Sequence, residues 1–264
     1  MSEISKLAEI CSGAEIAENV KVGSFTRIGP NVKIGKGCII HNNVNIEGYT
    51  EIGENNHIFP FASLGSAPHD LGYKGERSYL IVGSNNVFRE GFTANVGAAP
   101  ESTTKVGNNC FFMANSHIGH NCHLGNRIIL ANGALLGGHV EMADGCFIGG
   151  NSALHQFVRV GRFVIMGGVS ASSIDIPPFM VADGRNQPVR SINLIGLKRN
   201  GFTPEQIIRI KNVYKIFFKS DLNINNAIDK IKAEIPQTPE VVEFITFVDG
   251  RTHRGICTGK THAR

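Results

Sequence analysis

The sequence predicts a mainly β fold: a parallel β-helix with three short strands per coil, followed by a C-terminal α-helical part. Two observations carry the first half of this reading. Aliphatic residues recur every six positions, and glycine is abundant over the same stretch, with 31 Gly in 264 residues against a usual ~7%. A third carries the second half, where the six-residue period gives way to helical spacing and helix-start signals.

The period runs Ile10, Ile16, Val22, Ile28, Ile34, Ile40, Ile46, Ile52, Ile58 and Leu64, resumes at Val82 and Phe88, and runs again from Val106 to Met166. Six is neither the 3.6 of a helix nor the 2 of an alternating strand. It fits a triangular prism in which each hexapeptide supplies one face and one corner, so that one coil takes about 18 residues. The aliphatic points inward. The residue after it is often Gly or Ala (Gly23, Gly29, Gly35, Gly53, Gly107), and a glycine there is expected to supply the backbone angles of a tight corner. Parallel crossovers are normally right-handed, and the period by itself fixes no hand.

Two stretches break the period. Residues 65–81 and 98–105 put polar and turn residues where core aliphatics belong and are expected to be loops projecting from the stack, common places for binding residues. The stack is expected to span residues 1–187 and the helical part 188–264. Within the latter, the sequence predicts helices over about Val189–Asn200 with Gly201 as the stop, from Thr203-Pro204-Glu205-Gln206 onward, over about Leu222–Ile235, and from Thr238-Pro239 to about Val248. Thr203 and Gln206 have capping-box spacing, with Pro204 at the first helical position.

Composition excludes several classes. A mean hydropathy of −0.03 with many Val and Ile excludes general disorder. No run of 18 apolar residues is present, and the N-terminus has no apolar signal core, so neither a transmembrane segment nor a secretory signal is expected. Four of the six cysteines (Cys38, Cys110, Cys122, Cys146) occupy the small-residue slot of the repeat and no CxxC occurs. They read as buried thiols in a reduced, cytoplasmic chain. Charge is uneven: residues 185–264 carry +7 and the rest −3, which suits either a solvated helical surface or a site for a phosphorylated ligand or acidic partner. No nucleic-acid motif with interleaved aromatics is present.

Five of the ten histidines lie close in sequence: His117, His120, His123, His139 and His155. Steps of 18 from His120 reach Gly138, beside His139, and then Gln156, beside His155. At ~4.8 Å between strands, this ladder spans about 10 Å along one edge. Stacked imidazoles serve general-base catalysis or metal binding. His117 and His123 lie on adjacent faces and cannot converge on one ion within a subunit, so a metal would need histidines from two chains.

At these residues the sequence resembles a known family. NSHIGHNC (115–122), LLGGHV (135–140), GGNSALHQF (149–157), IPPFMVADG (176–184) and NLIGLKRNGF (193–202) are similar, in order and spacing, to the UDP-N-acetylglucosamine acyltransferases of lipid A synthesis, within the hexapeptide-repeat acyltransferases. The resemblance implies a left-handed β-helix and a cytoplasmic homotrimer with sites between adjacent subunits. It implies direct transfer of a 3-hydroxyacyl chain from acyl carrier protein to the sugar 3-position, the chain being carried on the carrier's phosphopantetheine, with no metal and no other cofactor. By the same resemblance His120 is the general base and the Gly138 N–H the oxyanion donor. His117, His139, His155 and Gln156 hold substrate and the pantetheine arm, Asp70 the sugar, and Asn193 and Arg199 the nucleotide. Gly168 ends the acyl pocket, and the basic helices suit an acidic carrier protein. The sequence departs from the family pattern at Asn121, where an Asp is expected, at Gly72, where a Lys is expected, over ANVGA (94–98), which lacks an Arg-Gly-Thr element, and at Ile195 and Asn200. These departures bear on the sugar nucleotide, so an acceptor with a 3-amine, giving an amide, stands as an alternative; a trimeric metal-dependent hydratase on the same fold is a separate one, tied to the histidines.

Overall fold

The computed structural model describes residues 2–185 and 189–258. Strands of two to four residues assemble into three sheets of 11, 9 and 8 strands, one per prism face, parallel throughout except for the last strand of the 11-stranded sheet. The inward rows are those the period predicts. Ile28 lies beside Ile46 and Ile46 beside Leu64, then Ala94, Ile118, Leu136 and Leu154. A second row runs Val22, Ile40, Ile58, Phe88, Phe112, Leu130, Ile148 and Met166. These side chains form one continuous buried core. Where the first row shrinks to Ala94, Phe92 fills the space from the usual small slot, its ring 4.9 Å from Phe88 and 5.1 Å from Phe112, so packed volume is conserved.

The corner glycines have a different cause from the one expected. Those that follow the aliphatic, Gly65 apart, have ordinary negative φ, whereas the left-handed residue of each corner comes three after it and is usually not glycine: Asn43, Asn55, Asn109, Asn115, Asn121, His139 and Phe157 have φ between 54° and 65°. Asn visits this region more readily than most residues. The glycine one step after the aliphatic is required by the adjacent coil, since a Cβ on Gly35 would stand 2.5 Å from the Gly53 carbonyl carbon.

Both interruptions project, but they are shorter than expected. Tyr79–Val82 and Thr103–Val106 are strands paired with each other, and Tyr79–Val82 also pairs with Tyr49–Ile52. The loops proper are therefore 67–78 and 97–102. Backbone pairing claims Tyr79–Ile81 and Thr103–Lys105 from the expected loops because their neighbours offer a full ladder of partners.

The expected boundary at 187/188 lies outside the described residues. Val189–Ile192, read above as the start of a helix, is a strand antiparallel to Met180–Ala182. Tertiary pairing there outweighs a weak helical pattern. Helix α1 is then only Leu194–Arg199, followed by α2 (Pro204–Lys219), α3 (Ile224–Glu234) and α4 (Pro239–Asp249). The capping box at Thr203 and Gln206 is present, while Thr238 makes no side-chain cap bond and its hydroxyl donates to Glu240 Oε1. The helices pack a second core around Phe217, Phe218, Ile231 and Phe244. Buried Asp175 joins the two parts. It accepts from the Arg159 N–H and Nε at 2.8 Å each, and the Arg159 guanidinium reaches the Phe247 carbonyl on α4.

Candidate active site

The edge that follows Ile118, Leu136 and Leu154 gathers the predicted ladder. His120 stands two residues after Ile118 and Gly138 two after Leu136, and coil stacking puts one over the other. A Cβ on Gly138 would lie 2.5 Å from His120 Nε2 and 2.6 Å from Cε1, so only glycine leaves room for this imidazole. Among the described residues, nothing accepts from the Gly138 N–H, while its carbonyl accepts from Phe157 N at 3.0 Å. A free backbone donor and a ring nitrogen thus border the same small space.

The ring of His120 is fixed from behind. Its Nδ1 is 3.0 Å from Asn121 Oδ1, an oxygen that also accepts from the Ala98 N–H at 2.9 Å. An amide oxygen can only accept, so Nδ1 carries the proton and Nε2 is the basic nitrogen. His139 stands edge-on to His120 at 5.2 Å and stacks on Phe157 at 4.4 Å. Burial, then the positive ends of His120 and His123, hold its proton affinity below the usual imidazole range.

His117 is half-buried on the adjoining face, between Thr93 and Leu135 in the sheet. Its Nδ1 is 2.8 Å from Thr93 Oγ1, and desolvation first, then His69 and His120, push its pKa down to about 4. It is neutral at physiological pH. His69, from the 67–78 loop, stacks on it with ring centroids 5.6 Å apart. The same loop brings Asp70 close enough for its charge to act on His139, with its Oδ1 accepting from the Gly72 N–H at 2.8 Å.

The remaining predicted residues fall into two groups. His155 and Gln156 are exposed on the next coil, His155 lining a groove of about 410 Å³ with Leu154, Ser172 and Arg185. Gly168 is exposed, and a Cβ there would meet nothing nearer than the Gly150 carbonyl at 3.4 Å, so a side chain would extend into open space. Asn193, by contrast, is buried. Its Oδ1 caps α1 by accepting from Gly196 N, and its Nδ2 donates to the Phe163 carbonyl at 2.8 Å. Arg199 is exposed at the end of α1, with no partner among the described residues. Also among the described residues, no three His, Cys, Asp or Glu side chains are placed to hold a metal ion.

Known proteins resemble this chain along nearly its whole length. A family profile described as UDP N-acetylglucosamine O-acyltransferase, domain 2, matches residues 175–257, and one described as bacterial transferase hexapeptide (six repeats) matches residues 8–48 and 103–138. An acyl-(acyl-carrier-protein)–UDP-N-acetylglucosamine O-acyltransferase of Thermodesulfovibrio yellowstonii is 45% identical over 97% of this chain and 100% of its own length. One of Myxococcus xanthus is 44% identical over 97% and 99%. The chain belongs to the UDP-N-acetylglucosamine O-acyltransferase family. The solved UDP-N-acetylglucosamine acyltransferase of Bacteroides fragilis superposes on it with a TM-score of 0.92, at 41% identity over 96% of this chain and 98% of that one. That of Francisella novicida gives 0.92, at 37% identity over 96% and 93%. The coil stack is accordingly the left-handed parallel β-helix of this acyltransferase family.

Sequence reasoning missed three neighbours of the candidate site. His69, Thr93 and Ala98 lie within or beside the interruptions, where pairing steps of 30 and 24 residues replace 18 (Ser63 with Thr93, Thr93 with His117). An 18-residue count cannot carry across them. The His69-Asp70 pair was the available signal, because Asp70 was already singled out.

Proposed function

We propose that this chain moves a 3-hydroxyacyl group from acyl carrier protein to the 3-position of UDP-N-acetylglucosamine, the first step of lipid A biosynthesis, by direct attack without an acyl-enzyme. The observation that carries the reading is the apposition of His120 Nε2 and the unaccepted Gly138 N–H, supported by the family to which the chain belongs. His120 Nε2 takes the proton of the sugar 3-hydroxyl as its oxygen bonds to the thioester carbon. The carbonyl oxygen becomes an oxyanion, and the Gly138 N–H donates to it there, where a preorganised donor is most effective. On collapse the C–S bond breaks, and the imidazolium returns its proton to the phosphopantetheine thiolate.

In this proposal His117, neutral and held by Thr93, donates to or accepts from substrate without adding charge, and Asp70, His139, His155 and Gln156 line the rest of the path. Asn193 acts through its cap on α1, which sets where Arg199 meets the nucleotide phosphates. The open space beyond Gly168 receives the end of the acyl chain. The chain works as a cytoplasmic homotrimer: apolar Leu135, Phe157 and Val169 are exposed beside the ladder, where a second copy or the acyl chain would cover them. The acyl donor needs no metal and no cofactor other than its own carrier.

The test is transfer by the purified protein from hydroxyacyl carrier protein to UDP-N-acetylglucosamine, with products identified by mass. The expected outcome is an ester product and a loss of about 10²–10⁴ in kcat for His120→Ala. Absence of transfer to any UDP sugar overturns the reading, and an amide formed only with a 3-amino sugar moves the acceptor.

A further inference from the structure

One column of side chains runs up the face that carries His117, one residue per coil. His117, Leu135, Ala153, Ala171 and Arg185 are joined by parallel pairing at each step. The column changes character as it climbs. Leu135 is large and exposed. Ala153 and Ala171 end at Cβ, and beside them lies a trough of about 410 Å³ with His155 on its wall and Arg185 at its end. Arg185 is exposed and has no partner among the described residues. His155 Nδ1 is 3.3 Å from the Gln156 carbonyl. A carbonyl only accepts, so the neutral ring carries its proton on Nδ1 and keeps Nε2 as an acceptor. The Gly138 N–H belongs to the coil of Leu135, three pairing steps below Arg185, or about 14 Å at ~4.8 Å per strand.

We propose that Arg185 binds the phosphate of the phosphopantetheine arm, which lies along Ala153 and Ala171 with its thioester beside Gly138. The proposal rests on the function inferred above and adds the residue that reads the donor's phosphate. Length carries it. The arm has about 13 bonds between sulfur and phosphorus, or about 15 Å when extended at ~3.5 Å per three bonds, which matches the rise from Gly138 to Arg185. UDP-N-acetylglucosamine has phosphates too, but about 5 bonds, or about 6 Å, separate its 3-oxygen from the first phosphorus. With that oxygen at His120, the phosphate falls well short of Arg185. Character agrees with length. An acyl chain is apolar to its end and is served by a closed apolar pocket, whereas this trough is lined by exposed Ala171, Ser173 and Arg185 and finishes on a cation. A guanidinium presents a planar pair of donors to phosphate oxygens, and His155 Nε2 accepts from an amide N–H of the arm.

The test compares three donors on the purified protein: hydroxyacyl carrier protein, hydroxyacyl phosphopantetheine and hydroxyacyl pantetheine, the last without phosphate. Arg185→Gln removes the charge from an exposed position. It is expected to raise KM about tenfold or more for both phosphorylated donors, with kcat and the KM for UDP-N-acetylglucosamine within about twofold of the wild type. With hydroxyacyl pantetheine, Arg185→Gln and the wild type are expected to agree within about twofold. Ala171→Leu, which fills the trough, is expected to raise KM for all three donors to a similar extent. An Arg185→Gln penalty that persists on the donor without phosphate, a penalty that falls on the UDP sugar, or no penalty at all overturns the proposal. An unchanged donor KM in Ala171→Leu overturns the path of the arm. Absence of wild-type transfer from all three donors sinks the functional reading instead.

Discussion

At the corner that follows Val106, Leu124 and Met142, side-chain oxygens climb from coil to coil. The N–H groups of Ser84, Asn108 and Asn126 donate to Asn108, Asn126 and Asp144 at 2.7, 2.9 and 2.8 Å. At the corner that follows Ile118, Leu136 and Leu154, the same position of the repeat holds His120, Gly138 and Gln156, and no side chain caps the Gly138 N–H. Both corners rest on a row of stacked aliphatics of one core and on parallel pairing. One spends its polar side chains on satisfying the backbone. The other leaves a backbone donor open and sets a base beside it. The reactive edge proposed here therefore needs no distortion of the coil, only different residues at one slot of the hexapeptide.

The largest expected effect comes from filling the open corner. Gly138→Ala would drive a methyl into the space of His120 Nε2, and kcat should fall by about 10²–10³, comparable to losing an oxyanion donor. Turnover near wild type would mean that the two groups do not act together.

The second effect is acid sensitivity at the open corner. The folded pKa of His117, about 4, lies below the ~6.5 of an unfolded histidine. The unfolded chain therefore takes up the proton first, so stability is unaffected above about pH 6.5 and is lost as pH falls toward 4. Allowing for partial exposure, the loss is about 2 kcal/mol. Denaturant midpoints at pH 7 and pH 4.5 should differ less in His117→Gln than in the wild type, and equal differences would refute the assignment.

The smallest effect belongs to the closed corner. Asn126→Ala uncaps the Asn108 N–H and should cost about 1 kcal/mol in chemical denaturation, with kcat unchanged. A fall in kcat would show that the two corners are coupled.

The coil stack was legible because its period is set by geometry that every hexapeptide repeats, and the histidine ladder was legible because it obeys the same 18-residue count. The cause of the corner glycines was not. Gly35 is required by the approach of Gly53 from another coil, a contact that no local pattern encodes, and the left-handed angles belong to Asn and even His139 and Phe157. Val189–Ile192 read as helix because its partner, Met180–Ala182, contributes nothing to local spacing. Asn193 carried a nucleotide role by resemblance, and its sequence gave no sign that both ends of its amide are engaged within the fold.

If the Gly138 N–H is kept open for the reaction, a side chain that closes it should slow turnover. Asp144 and Asn126 show what closing it looks like: a side chain one methylene shorter than Gln, on the next coil, reaching back to the N–H. The most direct measurement is kcat for Gln156→Asn against Gln156→Ala. Both lose the native amide, but only Asn has the length to cap Gly138. Gln156→Asn should be the slower by at least about tenfold. Equal rates, or a faster Asn variant, would contradict it.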